Sequence, residues 1–344
     1  MNNKAANKII IVRLSALGDV VMMVPVIKTL RQALPDAEIT WLISRPAYDI
    51  VEGLEGVEFI VIDKPHSLSD YLKLRRQLSG RRFDICLAMQ ASLRVNLIYP
   101  FISAARKIGY DSQRAKDAQG IFINERIPFK PQHLVDSFFA FIEAIGIQER
   151  HMDWSLPLTD ADIQWAEQSV NTDKSILVVN PVASKTERNW PGERYIDVLN
   201  RLTQEKPVQV ILTGGPAKED KDICAQIQQA LVEQAVNLQG QTSPKQLAAL
   251  IQRADCVLAP DTGPVHIANA VGTPVIGLYA VAPPELSAPY NDMARVINAY
   301  PMACQQILGK RPEELEWGTR VHDDDAMRCI SSDEVLTHLM RVFA

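Results

Sequence analysis

Long apolar runs are missing from this sequence. No stretch approaches the roughly 20 consecutive apolar residues that a membrane-spanning helix needs, and the opening Met-Asn-Asn-Lys-Ala-Ala-Asn-Lys passes straight into a strand pattern without a secretory signal. Cysteine is scarce. The five present, Cys86, Cys224, Cys256, Cys304 and Cys329, have no paired spacing, so they predict reduced core thiols and neither a disulfide framework nor a zinc site. These absences predict a cytoplasmic protein. The Gly-x-Gly-x-x-Gly dinucleotide pattern and the Gly-x-x-x-x-Gly-Lys-Ser/Thr phosphate loop are both lacking, which weighs against a simple dehydrogenase and a nucleotide triphosphatase. No His/Cys cluster stands at ligand spacing, and the one acidic run, Asp323-Asp324-Asp325, reads as a surface loop, so no metal and no cofactor are expected. Short repeats and low-complexity segments are absent as well.

What is present is a globular composition, 47% hydrophobic and 22% charged over 344 residues, enough for about two domains with a core each. The formal net charge of −5 argues against a nucleic-acid partner. Charge is nevertheless uneven, with seven Lys/Arg against three Asp/Glu from Arg94 to Lys130, a stretch compatible with an anionic acceptor or an anionic membrane surface.

Strand and helix patterns alternate from end to end, the signature of parallel sheets covered by helices on both faces. Strands are expected at 8–14, 38–43, 57–62, 84–89 and near 106–109, with helices near 19–33, 46–53, 68–79 and 133–146. The second half repeats the plan: strands at 175–180, 207–213 and 256–259, with helices at 191–203, 217–233, 243–253 and 262–271. Asp153 to Leu158 reads as the connection. The expected organisation is therefore α/β, with two doubly wound, Rossmann-like domains at 1–155 and 156–330 that face each other across a cleft, and a C-terminal helix at 331–344.

Two turns in this scheme suit anions. Asp261-Thr262-Gly263 falls where the strand ending at Pro260 hands over to a helix, so free N–H groups and the positive end of the helix dipole meet a residue with no side chain. Leu14-Ser15-Ala16-Leu17-Gly18-Asp19 follows the first strand and places Asp19 in the first turn of the next helix, at the edge where open α/β sheets bind ligands.

Arg13-Leu-Ser-Ala-Leu-Gly-Asp19-Val-Val, the Arg188-Asn-Trp190-Pro191 unit, Gly214-Gly215-Pro216 with Glu219, and Asp261-Thr262-Gly263-x-x-His266 together resemble the lipopolysaccharide heptosyltransferases, glycosyltransferase family 9. The resemblance runs from about Lys8 to the end, with the motifs in family order. It implies a GT-B fold and a monomeric, inverting, metal-independent enzyme. Its donor would be ADP-heptose (ADP-L-glycero-D-manno-heptose), and its acceptor the anionic Kdo or first heptose of lipid A, met in transient contact with the cytoplasmic face of the inner membrane. The alternatives are a sugar-nucleotide 2-epimerase and a non-catalytic nucleotide-sugar-binding protein.

By this resemblance Asp19 is the base that takes the proton of the attacking hydroxyl; read from the residues alone it equally caps the helix that follows. Thr262 and Gly263 would hold the diphosphate or simply cap their helix, and Asp261 would bond heptose hydroxyls. His266, one turn into that helix, is as readily a packed histidine as a ligand contact. Arg188 stands where the family carries lysine, which exchanges a point charge for a planar fork; Ser184 and Lys185 lie beside the expected phosphates, in what could otherwise be a solvated loop. Glu219 would accept bonds from the adenosine ribose or serve only the helix dipole, and Trp190 reads as packing. On the acceptor side the cluster Arg94, Arg106, Lys107, Arg114 and Lys116 is assigned to Kdo carboxylate or phosphate groups.

Overall fold

A computed structural model describes residues 8–170 and 173–344. It divides into two compact units, one ending at Pro157 and the other beginning at Leu158.

The first unit runs β1 (Lys8–Val12), α1 (Leu17–Ala33), β2 (Glu38–Ser44), α2 (Arg45–Tyr48), β3 (Val57–Ile62), α3 (Leu68–Leu78), β4 (Phe83–Leu87), α4 (Leu93–Asn96), β5 (Ala104–Gly109), β6 (Glu125–Arg126) and α5 (Leu134–Glu143). All strand pairs are parallel, in the order β3-β2-β1-β4-β5-β6. Ile9 to Val12 are wholly buried, as a central parallel strand covered on both faces requires. The order reverses between β1 and β4, and at such a switch point the connections leave in opposite directions and open a crevice at the carboxyl ends of the strands.

The second unit runs α6 (Asp160–Ser169), β7 (Ser175–Val179), α7 (Gly192–Glu205), β8 (Val208–Leu212), α8 (Lys218–Ala230), β9 (Val236–Asn237), α9 (Pro244–Arg253), β10 (Cys256–Pro260), α10 (Gly263–Val271), β11 (Val275–Tyr279), α11 (Pro284–Ser287), β12 (Ile297–Asn298), α12 (Tyr300–Ala303) and α13 (Ser332–Val342). Its sheet, β12-β11-β10-β7-β8-β9, is again wholly parallel and reverses between β7 and β10. Helix α13 packs on α7 and seals a core around Leu177, Leu258, Ile276, Trp190 and Leu339.

Most elements follow the sequence pattern to within two or three residues. The helix expected at 46–53 does not form beyond Tyr48: the N–H groups of Val51 and Glu52 both return to the Tyr48 carbonyl at 2.9 Å, and Gly53 takes a positive φ of 89°, so the chain turns instead. All five cysteines are free and four are buried; burial pushes the Cys86 thiol up to about 12. Among the described residues no helix is long and apolar enough to cross a membrane.

Candidate active site

At the first switch point the chain leaves β1 through Arg13 and enters α1. Backbone and side-chain bonds from both neighbouring strands brace this turn: Leu14 N–H donates to Gln90 Oε1 at 2.7 Å, Trp41 Nε1–H to the Arg13 carbonyl at 3.1 Å, and Ser44 Oγ–H to the Leu14 carbonyl at 2.5 Å. Asp19, the third residue of α1, accepts the Ala16 N–H through Oδ2 at 2.8 Å, and the same oxygen meets Arg13 Nη2 at 2.5 Å. The helix-start pattern predicts the first of these roles, while the Arg13 partner emerges only in the fold. Arg13 is buried, stacked 5.0 Å over the Phe138 ring, and also donates to the Met89 carbonyl at 2.6 Å. Burial alone would lower its guanidinium, but Asp19 and then Tyr110 outweigh that, so it is held above its ordinary value and always charged. A charge closing an otherwise apolar strand is the signal that could have revealed this partner.

Both contacts of Asp19 fall on Oδ2. Its side chain remains 20% exposed, and Oδ1 has no partner among the described residues. The arrangement fixes one edge of a carboxylate and presents the other to solvent at the carboxyl end of a parallel sheet, the geometry a general base needs.

The second switch point carries a counterpart. Thr262 is the N-cap of α10 with extended backbone (φ −153°, ψ 171°) and no side-chain bond back into the helix, so it does not cap the turn through its hydroxyl. Gly263 opens the helix, Pro264 has no N–H, and Val265 N–H reaches only the Thr262 carbonyl at 3.2 Å. Asp261 is turned away from the helix: its Oδ2 pairs with Arg188 Nη1 at 3.1 Å, that same Nη1 donates to the Asp261 carbonyl at 3.1 Å, and Oδ1 accepts from Ser287 Oγ at 3.4 Å. The pair sits against Tyr279, whose hydroxyl donates to the Ser287 carbonyl at 3.2 Å; burial pushes that phenol far up, with Asp261 adding to the effect and Arg188 opposing it. Arg188 thus uses Nη1 alone, and its buried Nε has no hydrogen-bond partner.

Around this pair the structure gathers most of the expected donor residues. Ser184 and Lys185 are exposed on the loop after β7, and Arg188 ends its single 3₁₀ turn. Asn189 ties the loop down by accepting the Ala183 N–H through Oδ1 (2.7 Å) and donating Nδ2–H to Glu219 Oε1 (3.0 Å), which places exposed Glu219 beside it. Asp220, absent from the sequence reading, turns back to Gly215 N–H at 2.7 Å. Its carboxylate lies 2.9 Å from where a Cβ on Gly214 would stand, which accounts for glycine there. His266 is buried within α10. Trp190 is buried edge-on to Tyr195 at 4.8 Å, with its Nε1–H donating to the Ile330 carbonyl, which is the packing role expected of it.

The five basic residues of the first unit separate into two kinds. Arg106 forms a two-pronged pair with Glu125 at 2.7 Å on each prong, Lys107 Nζ donates to the Tyr99 carbonyl at 2.8 Å, and Arg114 pairs with Asp111, donates to Ser137 Oγ and Pro128 O, and covers the Tyr110 and Phe129 rings. These three have intramolecular partners for their charge or their donors. Arg94 and Lys116 are exposed, with no side-chain partner among the described residues. Lys64, which the sequence reading passed over, joins them: partial burial lowers its ammonium and the nearby Arg94 lowers it further.

Comparison with known proteins identifies the family and the fold. The model of glycosyltransferase family 9 (heptosyltransferase) matches residues 71–317. The chain is 34% identical over 341 residues to lipopolysaccharide core heptosyltransferase OpsX of Haemophilus influenzae, covering 98% of each chain. Its fold is that of a family 9 glycosyltransferase from Veillonella parvula (TM-score 0.77, 20% identity, 98% of this chain and 97% of that one) and of Escherichia coli heptosyltransferase WaaC with ADP-2-deoxy-2-fluoro heptose (TM-score 0.70, 19% identity, 97% and 99%). The two parallel six-stranded sheets are therefore those of the GT-B architecture. A binding module and an epimerase give way to an enzyme of glycosyl transfer, and the chain belongs to glycosyltransferase family 9, the heptosyltransferases.

Proposed function

We propose that this protein transfers L-glycero-D-manno-heptose from ADP-heptose, with inversion and without a metal ion, to Kdo or the first heptose of the lipid A inner core. The observation that carries the reading is Asp19, held through Oδ2 by Arg13 and the Ala16 N–H and open at Oδ1. In the transfer an acceptor hydroxyl attacks C1 of heptose on the face opposite ADP. The new C1–O bond forms as the bond from C1 to the diphosphate oxygen breaks, Asp19 Oδ1 takes the hydroxyl proton, and the bonding pair leaves with ADP. One carboxylate suffices because no covalent glycosyl intermediate forms. Arg13 keeps Asp19 in place and balances its charge before the proton arrives.

Charge on the departing ADP is met by the uncapped start of α10 at Thr262 and Gly263 and by Arg188, whose Nη2 is not used by Asp261. Ser184 and Lys185 flank the same phosphates, Glu219 accepts from the ribose, and the Asp261 carboxylate, held by Arg188 and Ser287, receives heptose hydroxyls. His266, buried one turn into α10, lies in the helix whose start faces the phosphates. On the acceptor side Arg94 and Lys116 have charges to offer an anionic sugar, while Arg106, Lys107 and Arg114 act by shaping the surface that carries them. No group of three His, Cys, Asp or Glu side chains among the described residues is arranged to hold a metal, and the chelator arm of the test below decides the point. We place the protein as a monomer in the cytoplasm, at the inner face of the inner membrane where such an acceptor is presented.

The test is incubation with ADP-heptose and a panel of truncated lipid A cores, with and without chelator, read by mass spectrometry. One added heptose on a Kdo-terminated or heptose-terminated core, at equal rates in both conditions, is the expected result. Release of ADP without a heptosylated product, or turnover lost in chelator and restored by magnesium, contradicts it.

A further inference from the structure

Large apolar side chains exposed to solvent are concentrated in one region of the first unit. Leu68 and Leu72 on α3, Leu93 and Leu97 on and just after α4, and Ile121 on the loop before β6 are exposed by 42 to 76%. Both leucine pairs are spaced i, i+4, which puts each pair on one face of its helix. The three segments share a foundation: Tyr71 and Leu74 of α3, Val95 of α4 and Phe122 and Ile123 beyond Ile121 all pack on the same core cluster. They are also cross-linked at the surface. Tyr71 OH donates to the Arg94 carbonyl at 2.9 Å, Leu93 N–H to Asp117 Oδ2 at 2.8 Å, and Asn96 Nδ2–H to the carbonyls of Lys116 and Asp117, both at 2.8 Å.

The loop that presents Ile121 is held in a costly shape. Asp117 and Ala118 adopt left-handed backbone, φ 51° and 62°, although neither is glycine. The clamp from Leu93 and from buried Asn96 maintains it, and outward Ile121 is its visible consequence.

Cations share the segments that carry these apolar groups: Arg75 and Arg76 on α3, Arg94 on α4 with Lys64 near it, and Lys116 on the loop, none in a side-chain ion pair among the described residues. The acids on the same segments are fewer: Asp70 and Asp117 keep their charge while bonded to the N–H groups of His66, Ser67 and Leu93, and Asp63 pairs with Arg45, so positive charge is in excess. Exposed apolar side chains interspersed with unpaired cations match an anionic lipid surface, where alkyl side chains enter the headgroup boundary and Lys/Arg meet phosphates. It is a poor match for a second copy of the chain, because a two-fold contact would set the same cations against each other.

We infer that this surface, built from α3, α4 and the 116–121 loop, docks the protein onto an anionic bilayer. The inference rests on the proposed lipid-anchored acceptor and gives it a means of approach, since α4 follows the carboxyl end of β4, beside the strand that leads to Asp19.

The test is cosedimentation of the full chain with phosphatidylglycerol or phosphatidylcholine vesicles. Binding to the first and not the second, weakened by salt, is expected. Leu68→Ser/Leu72→Ser/Ile121→Ser should lower the partition about tenfold or more. Arg75→Gln/Arg76→Gln should lower it about tenfold at low salt. Both variants should melt with the parent, because the altered side chains are exposed. Equal binding by parent and variants, or no preference for the anionic vesicle, overturns the inference. So does a dimer, seen by sedimentation velocity, that the leucine substitutions dissociate. Transfer to a deacylated, soluble acceptor keeps the two proposals apart: parent and variants should act on it alike, and a parent inactive there loses the heptosyl reading whatever the vesicles show.

Discussion

Each sheet places one arginine–aspartate pair at its switch point, and the two pairs are built differently. Arg13 and Asp19 are six residues apart on one strand–turn–helix unit, at 2.5 Å, with the arginine stacked on Phe138 and the aspartate bonded to its own turn. Arg188 and Asp261 are 73 residues apart, meet at 3.1 Å, and come together only because β7 and β10 are neighbours. The first pair is a local device that orients a carboxylate. The second joins two loops and leaves part of the guanidinium without a partner. In both the arginine Nε is buried without a partner; Arg13 divides its two Nη groups between Asp19 and the Met89 carbonyl, whereas Arg188 spends Nη1 alone on Asp261.

The comparison can be broken in order of expected effect. Arg13→Met should cost about 3 kcal/mol of folding stability, since it strands a mostly covered carboxylate, and adding Asp19→Asn should recover part of that loss; thermal melts of the two single variants and the double variant check it. Arg188→Ala should weaken ADP-heptose binding by about 10–100-fold, the worth of a charged hydrogen bond, with Arg188→Lys between it and the parent. Titration calorimetry reads this directly, and equal affinities would remove Arg188 from the donor site. The partly exposed pair Lys28–Asp153, at 2.8 Å, supplies the reference for a surface contact. Burial pushes the Asp153 carboxyl up, but Lys28 and the Ser155 hydroxyl and N–H bring it down to about 2. Its stabilising share is complete above the ordinary carboxylate value of about 4 and is lost as pH falls through about 2. With Asp153 more than half exposed, Asp153→Asn should cost only about 1 kcal/mol at neutral pH and progressively less as the pH falls toward and below about 2, as acid melts would show.

The same contrast explains what the sequence disclosed. Buried parallel strands are continuous apolar runs, so β1, β2, β7 and β10 were legible along with the turns that follow them, and Asp19 and Asp261-Thr262-Gly263 with those turns. The edge strands β6, β9 and β12 are two residues long and have no period to read. Leu93 and Leu97 look like core in sequence and lie outside it. Which basic residues keep an available charge was likewise hidden, because Glu125 and Asp111 neutralise Arg106 and Arg114 through pairings that only the folded sheet and its turns define.

The most direct test of the account is Asp19→Asn, with donor affinity and transfer measured on one preparation. The amide preserves shape and an acceptor for the Ala16 N–H but does not supply the carboxylate that takes the proton. ADP-heptose should bind within about twofold of the parent while transfer falls by 10²–10⁴-fold, the range for loss of a general base. Transfer within about tenfold of the parent would contradict the role of Asp19 and with it the mechanism built on the first switch point.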